Sequence, residues 1–184
     1  MQVADVRNDL LAEQEALDQI VSVLTDEQWA LPTASPRWSV ADQVGHLTYF
    51  DKTAAMAITD PDSFAALVRE LTGAVVADEA AGDDLTLGEY REMTPNELLE
   101  AWRANRKLLA DASARLEEDT RVVWYGPSMG SKSFLTARLM ECWAHGQDIV
   151  DTVGVQRAPS DRIRHIAQLG FITRGWSYVN RGLE

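Results

Sequence analysis

The stretch TARLMECWAHGQDIV, residues 136–150, decides how the chain is read. It is apolar enough and long enough for a buried helix, yet it carries a carboxylate, Glu141, and an imidazole, His145, four residues apart. On an α-helix, positions i and i+4 share a face, with Cβ atoms about 5–6 Å apart, so both groups aim at one spot. The same row continues to Arg138 on one side and Asp148 on the other. Two polar groups on a core-facing helix need compensation, because burying them unpaired is costly.

Working outward, the rest of the sequence is also helical. VADVRNDLLAEQEALDQIVSVL, residues 3–24, places Val3, Val6, Leu10, Leu17, Ile20, Val21 and Leu24 near one stripe, an amphipathic helix. Pro32 and Pro36 break the pattern. Ser39 reads as the N-cap of a helix beginning VADQVGHLTYFD. Asp60 and Pro61 open a further helix, and so do Thr94, Pro95 and Glu97, the last through a capping box. Between them, residues 73–93 are acidic and uneven, and read as a crossover with a short or broken helix. Ser131 or Ser133 is expected to cap the helix holding Glu141 and His145, and Gly154 to end it. Pro159 precedes a last helix. No segment shows period-two alternation of strand type. The expectation is an all-α four-helix bundle with a long crossover and an extra C-terminal helix.

The 184 residues carry a formal net charge of -12, which disfavours nucleic acid and anionic membranes as partners, since phosphates are repelled. No stretch approaches the roughly 20 apolar residues of a membrane span. Cys142 is the single cysteine, so no internal disulfide can form. Together with the lack of a signal-peptide pattern after Met1, this points to a reducing, cytoplasmic setting. Cys142 neighbours Glu141 but points about 100° away around the helix, and reads as a packed thiol. His165, in the basic context RIRH, reads as a surface or helix-end histidine.

A metal ion would explain Glu141 and His145, because both side chains bind zinc at about 2.0–2.2 Å. His46 can be a third ligand if its helix neighbours theirs. Two histidines and a glutamate form a catalytic zinc set with one position left over. By spacing alone the plainer readings stay open: a surface i,i+4 pair for Glu141 and His145, and a satisfied core histidine for His46.

RWSVADQVGHLTYFD, residues 37–51, resembles the first-histidine segment of the DinB-like helical bundles, and more closely the N-terminal domain of the mycothiol-dependent maleylpyruvate isomerase family. Its signature is matched by Trp38, Ser39, Asp42 and His46. RLMECWAHGQDIVDTVG, residues 138–154, resembles the family's second segment at Glu141, His145 and Asp148. The resemblance implies a DinB-like metal-binding bundle over residues 1–157, with zinc or another divalent metal on His46, Glu141 and His145. It also implies mycothiol or a related low-molecular-weight thiol as cosubstrate in isomerisation or transfer on a small electrophile. The isomerase carries a further C-terminal domain, and residues 158–184 are expected to form a helix leading toward one.

Around the metal, Gln43 and Arg138 are expected to reach a bound cofactor or substrate, Arg138 by gripping a carboxylate. A salt bridge to a nearby acid is the alternative for Arg138. Asp148 and Asp42 are expected to support the ligand histidines by accepting their second ring proton. The loop Trp124-Tyr125-Gly126-Pro127 either roofs the pocket or plugs the bundle. A homodimer is compatible with this reading. A non-catalytic metal-binding regulatory or ligand-binding module is the alternative function.

Overall fold

The computed structural model describes residues 2–77 and 79–182. Its helices are α1 (Val3–Val21), α2 (Asp26–Trp29), α3 (Val40–Thr59), α4 (Pro61–Ala77), α5 (Glu79–Arg91), α6 (Pro95–Ser113), α7 (Ser131–Val153) and α8 (Ile163–Asn180). Helices α1, α3, α6 and α7 form a four-helix bundle in which α3 packs on α6 and α7, and α1 packs on α7 and α6. Helices α4 and α5 make the crossover and lie against α3, while α8 lies against α7. Among the described residues, no helix is long and apolar enough to cross a membrane.

Most boundaries follow from local capping chemistry. Ser39 accepts from the Asp42 amide while Asp42 accepts from the Ser39 amide, and Thr94 and Glu97 repeat that exchange at α6. Asp60 accepts from the Ser63 amide at the start of α4. Gly154 closes α7 with φ of 71°, a left-handed turn that only glycine adopts without strain.

Three expectations need correction. The first helix stops at Val21, because Thr25 and Gln28 form their own capping box and start α2, which buries Trp29. Neither Ser131 nor Ser133 caps α7. The N-cap is Gly130, and the Ser131 hydroxyl is spent on the carbonyls of Glu117 and Thr120. The loop before α7 contains a minimal antiparallel pair, β1 (Arg121–Val122) and β2 (Met129–Gly130), too short for alternation to register in sequence.

The core has two apolar halves. One gathers Val6, Leu10, Ala54, Phe64, Leu109, Phe134, Leu135 and Leu139. The other gathers Leu17, Val21, Val44, Leu47, Leu98, Trp102, Cys142 and Ile149. Burial pushes the Cys142 thiol up to about 12, so it packs as a neutral side chain. A buried polar cluster from α1, α3 and α7 lies beside these halves. Asp51 of α3 accepts from Arg138 of α7 at 3.0 Å and from Gln14 of α1 at 2.9 Å, all buried. Burial pushes the Asp51 carboxyl up, and the Arg138 guanidinium pulls it back. Trp124 stacks on Phe64 and meets Phe134 edge-on, and the Tyr125 hydroxyl bonds Thr53, so this loop plugs the bundle.

A second ionic tie joins α1 to α6. Asp18 takes a forked pair of bonds from Arg103 at 2.6 and 2.8 Å and another from Arg106 at 2.6 Å. The Arg103 hydrogen bond, helped by the charge of Arg106, outweighs burial and holds the Asp18 carboxyl below its ordinary 3.8.

Two stability predictions follow from these ties. Arg138→Ala leaves Asp51 buried without its cation, and urea unfolding is expected to show a loss of about 3–5 kcal/mol. Replacing both partners, as R138M/D51L, is expected to recover most of it. Asp18→Asn is expected to cost about 1–2 kcal/mol at neutral pH. Because the folded-state pKa is depressed, this contribution is complete above the ordinary 3.8 and disappears as pH falls through the folded value. The gap between wild type and variant in denaturation curves should therefore close in acid.

Candidate metal centre

The early turns of α3 meet the later turns of α7, and this brings His46 to Glu141 and His145. Glu141 Oε2 lies 3.2 Å from His46 Nε2 and 3.1 Å from His145 Nε2. One ligand atom from each of the three side chains lies within 4.8 Å of the others. The two imidazole rings tilt against each other with centroids 4.3 Å apart. Two nitrogens and one carboxylate oxygen gathered this closely match the donor set of a three-ligand zinc site, with room for a fourth ligand.

The electrostatics suit a cation. Burial lowers the His46 pKa to about 4, so the ring is neutral near pH 7 and keeps a lone pair to give. Burial pushes the Glu141 carboxyl up. The hydrogen bonds with His145 and His46, and the charge of Arg138, outweigh this and hold it well below the usual carboxylate range. The cluster is not sealed: one third of the Glu141 side chain reaches solvent.

Aromatic rings enclose the histidines. Trp38 lies 5.0 Å from His46 and 5.8 Å from His145, centroid to centroid, and Phe50 lies 4.5 Å from His46. The residue before Trp38, Arg37, has φ of 70°. That left-handed conformation costs about 1–3 kcal/mol for a non-glycine residue, and it turns the chain so that Trp38 covers the rings. The loop is otherwise tight: the amide of Thr33 donates to Trp38 and that of Trp38 to Ser35.

The supporting residues are arranged differently from the sequence expectation. Arg138 is given to Asp51, the nearby-acid alternative, and is only 2% exposed, so it is placed to act on Glu141 by charge rather than to grip a substrate. Gln43 is fully buried and meets His145 Nδ1 through Oε1, which places it beside a candidate ligand. Asp148 makes no hydrogen bond to a candidate ligand histidine. It accepts from Gln43 at 3.1 Å and from Ser35 at 2.9 Å, one residue further out than expected. Asp42 is spent on the Ser39 cap and on Arg91 at 2.7 Å. His165 does begin a helix, but it is buried and meets Asp9 at 2.7 Å rather than lying at the surface.

Sequence reasoning missed Thr33 and Ser35 entirely. Both approach the Gln43 amide nitrogen, at 2.9 and 3.1 Å. The only signal was a hydroxyl-bearing loop between two prolines, which reads as a helix break.

Comparisons with known proteins agree with this architecture. The mycothiol maleylpyruvate isomerase N-terminal domain model matches residues 10–150. Two uncharacterized proteins from two strains of Mycobacterium tuberculosis are each 40% identical over 175 residues, covering 95% of this chain. The chain spans 66% of the length of those relatives. A crystal structure of a mutant of the mycothiol-dependent maleylpyruvate isomerase superposes with a TM-score of 0.68 at 13% identity, over 92% of this chain and 68% of that one. A second crystal structure of that isomerase gives 0.59 at 14% identity, over 81% and 61%. At such identities the likeness is one of fold. With the family model spanning the bundle from α1 nearly to the end of α7, and the mycobacterial relatives aligned along almost all of it, the chain belongs to the mycothiol maleylpyruvate isomerase N-terminal domain family.

Proposed function

We propose that this protein holds one divalent metal ion, zinc being the best fit, on His46, Glu141 and His145. We propose also that it works with a low-molecular-weight thiol of the mycothiol type in an isomerase or transferase reaction on a small electrophile. The observation that carries the metal reading is the convergence of two imidazole nitrogens on one carboxylate oxygen, three electron-pair donors in all, from helices whose register is fixed elsewhere. Nothing in the apolar packing asks for that cluster.

The chain's own residues divide the work. His46 and His145 offer ring nitrogens, that of His46 held neutral by burial, and Glu141 offers the negative charge. Arg138, held in place by Asp51, adds its charge to the histidine contacts that favour the ionised Glu141. Trp38 and Phe50 flank the histidines with apolar surface, which strengthens local electrostatics by excluding water. A bound divalent cation supplies Lewis acidity, which lets a thiol lose its proton at neutral pH. The exposed side of Glu141 leaves an approach for small molecules, and this favours an enzyme over a sealed structural metal site.

Protein expressed and purified without nickel is expected to carry about one zinc per chain by elemental analysis, and metal-free protein that takes none up from solution would overturn the metal reading. His145→Ala is expected to weaken zinc binding by more than about 100-fold, beyond the range typical of outer-sphere changes. In a thiol-consumption assay with mycothiol and a panel of electrophiles, His46→Ala is expected to abolish turnover. Turnover that survives this substitution would refute the metal-dependent enzyme.

A further inference from the structure

The hydrogens around Gln43 can be assigned one by one. Thr33 Oγ1 donates to the Trp38 carbonyl at 3.0 Å, so its proton is spent there. Ser35 Oγ donates to Asp148 Oδ2 at 2.9 Å, which spends its proton too. A carboxylate such as Asp148 only accepts. The Gln43 amide nitrogen therefore faces three acceptors, at 2.9 Å (Thr33), 3.1 Å (Ser35) and 3.1 Å (Asp148). Turned over, the amide would set its oxygen 3.1 Å from the Asp148 carboxylate, which has no hydrogen to give, and would draw the Thr33 and Ser35 hydroxyls off the acceptors they now serve. The amide has one workable orientation, and it points Oε1 at His145 Nδ1.

An amide oxygen only accepts, so His145 Nδ1 must carry the hydrogen. With the ring neutral, as a metal ligand must be, the other nitrogen, Nε2, holds a bare lone pair in place of the hydrogen it would otherwise share with Glu141 Oε2 at 3.1 Å. A neutral imidazole acceptor set against a carboxylate oxygen is an unfavourable contact unless a cation sits between them.

We infer that Gln43 is a positioning residue that fixes the tautomer of His145, and that Asp148, Thr33 and Ser35 act on that tautomer by fixing the orientation of Gln43. The chain of control runs from a carboxylate and two hydroxyls, through one buried amide, to the lone pair of a ligand histidine. Its consequence for affinity rests on the metal reading above. The tautomer does not, because it is set by protein groups alone.

The experiment has two arms. In metal-free wild-type protein, nitrogen-15 NMR of labelled histidine is expected to find His145 as the Nδ1–H tautomer. A proton on Nε2 instead would overturn the inference, and this arm needs no variant to fold. In the second arm, zinc affinity is measured by competition with a chromophoric chelator. Gln43→Met, close in size but unable to accept from an imidazole in this way, is expected to weaken zinc binding by about 10–100-fold. Q43E sets two carboxylates against each other and is expected to bind weakly as well. The pair Q43E/D148N restores an amide donating to a carboxylate that accepts from His145, and is expected to recover at least wild-type affinity. Wild-type zinc affinity in the folded Gln43→Met protein, or no rescue by D148N, would overturn the inference while leaving the metal site standing. Failure of the wild type to bind zinc would remove the metal reading, and the NMR arm would still decide the tautomer.

Discussion

Arg138 and Asp51 cannot be separated cheaply. Each is almost fully buried, and each is the other's ionic partner across the interface of α7 and α3. A charge left alone there would cost several kcal/mol, so the pair sets the register of the two helices. His46 lies a little over one turn before Asp51 on α3, and Glu141 one turn after Arg138 on α7. Once the ion pair is made, those two side chains are brought together as well. The candidate metal centre is thus a consequence of a register fixed one turn away. The same arginine then lends its charge to the Glu141 carboxylate.

The surroundings of that centre come from parts of the chain with quite different local roles. Ser39 and Asp42 are helix-capping residues, and their exchange of hydrogen bonds holds the first turn of α3 in place. The irregular loop before them contributes Thr33 and Ser35 to Gln43, and its left-handed residue, Arg37, delivers Trp38 to the histidines. A segment that looks like a mere interruption between helices is therefore a wall of the site.

Charge also attaches the last helix. Glu13 of α1 is buried and meets both Arg157 and Arg162, and Asp9 meets Arg164 and His165. By contrast α8 buries only His165 and Leu169 among its side chains, and Phe171, Ile172, Trp176 and Val179 are exposed. Its position on the bundle depends on ionic contacts to α1 near its start more than on apolar burial along its length. That is why a histidine expected at the surface is instead enclosed.

Capping and periodicity are local properties, and the sequence alone was enough for most of them. Ser39, Asp60, Thr94 with Glu97, and Gly154 mark helix ends because their side chains or backbone act within a few residues. The shared face of Glu141 and His145 is equally local, since helical spacing imposes it. From residue spacing alone, His46 remained one histidine among three, and resemblance to a family was needed to single it out. Tertiary structure decided the rest: that Arg138 belongs to Asp51, that Gln43 stands between Asp148 and His145, that Ser131 serves a loop instead of a cap, and that His165 is buried. Each of those partnerships joins residues far apart in the chain. Side-chain type and helical period say which face a group lies on, but only the packing of one element on another says which acceptor or charge stands opposite it.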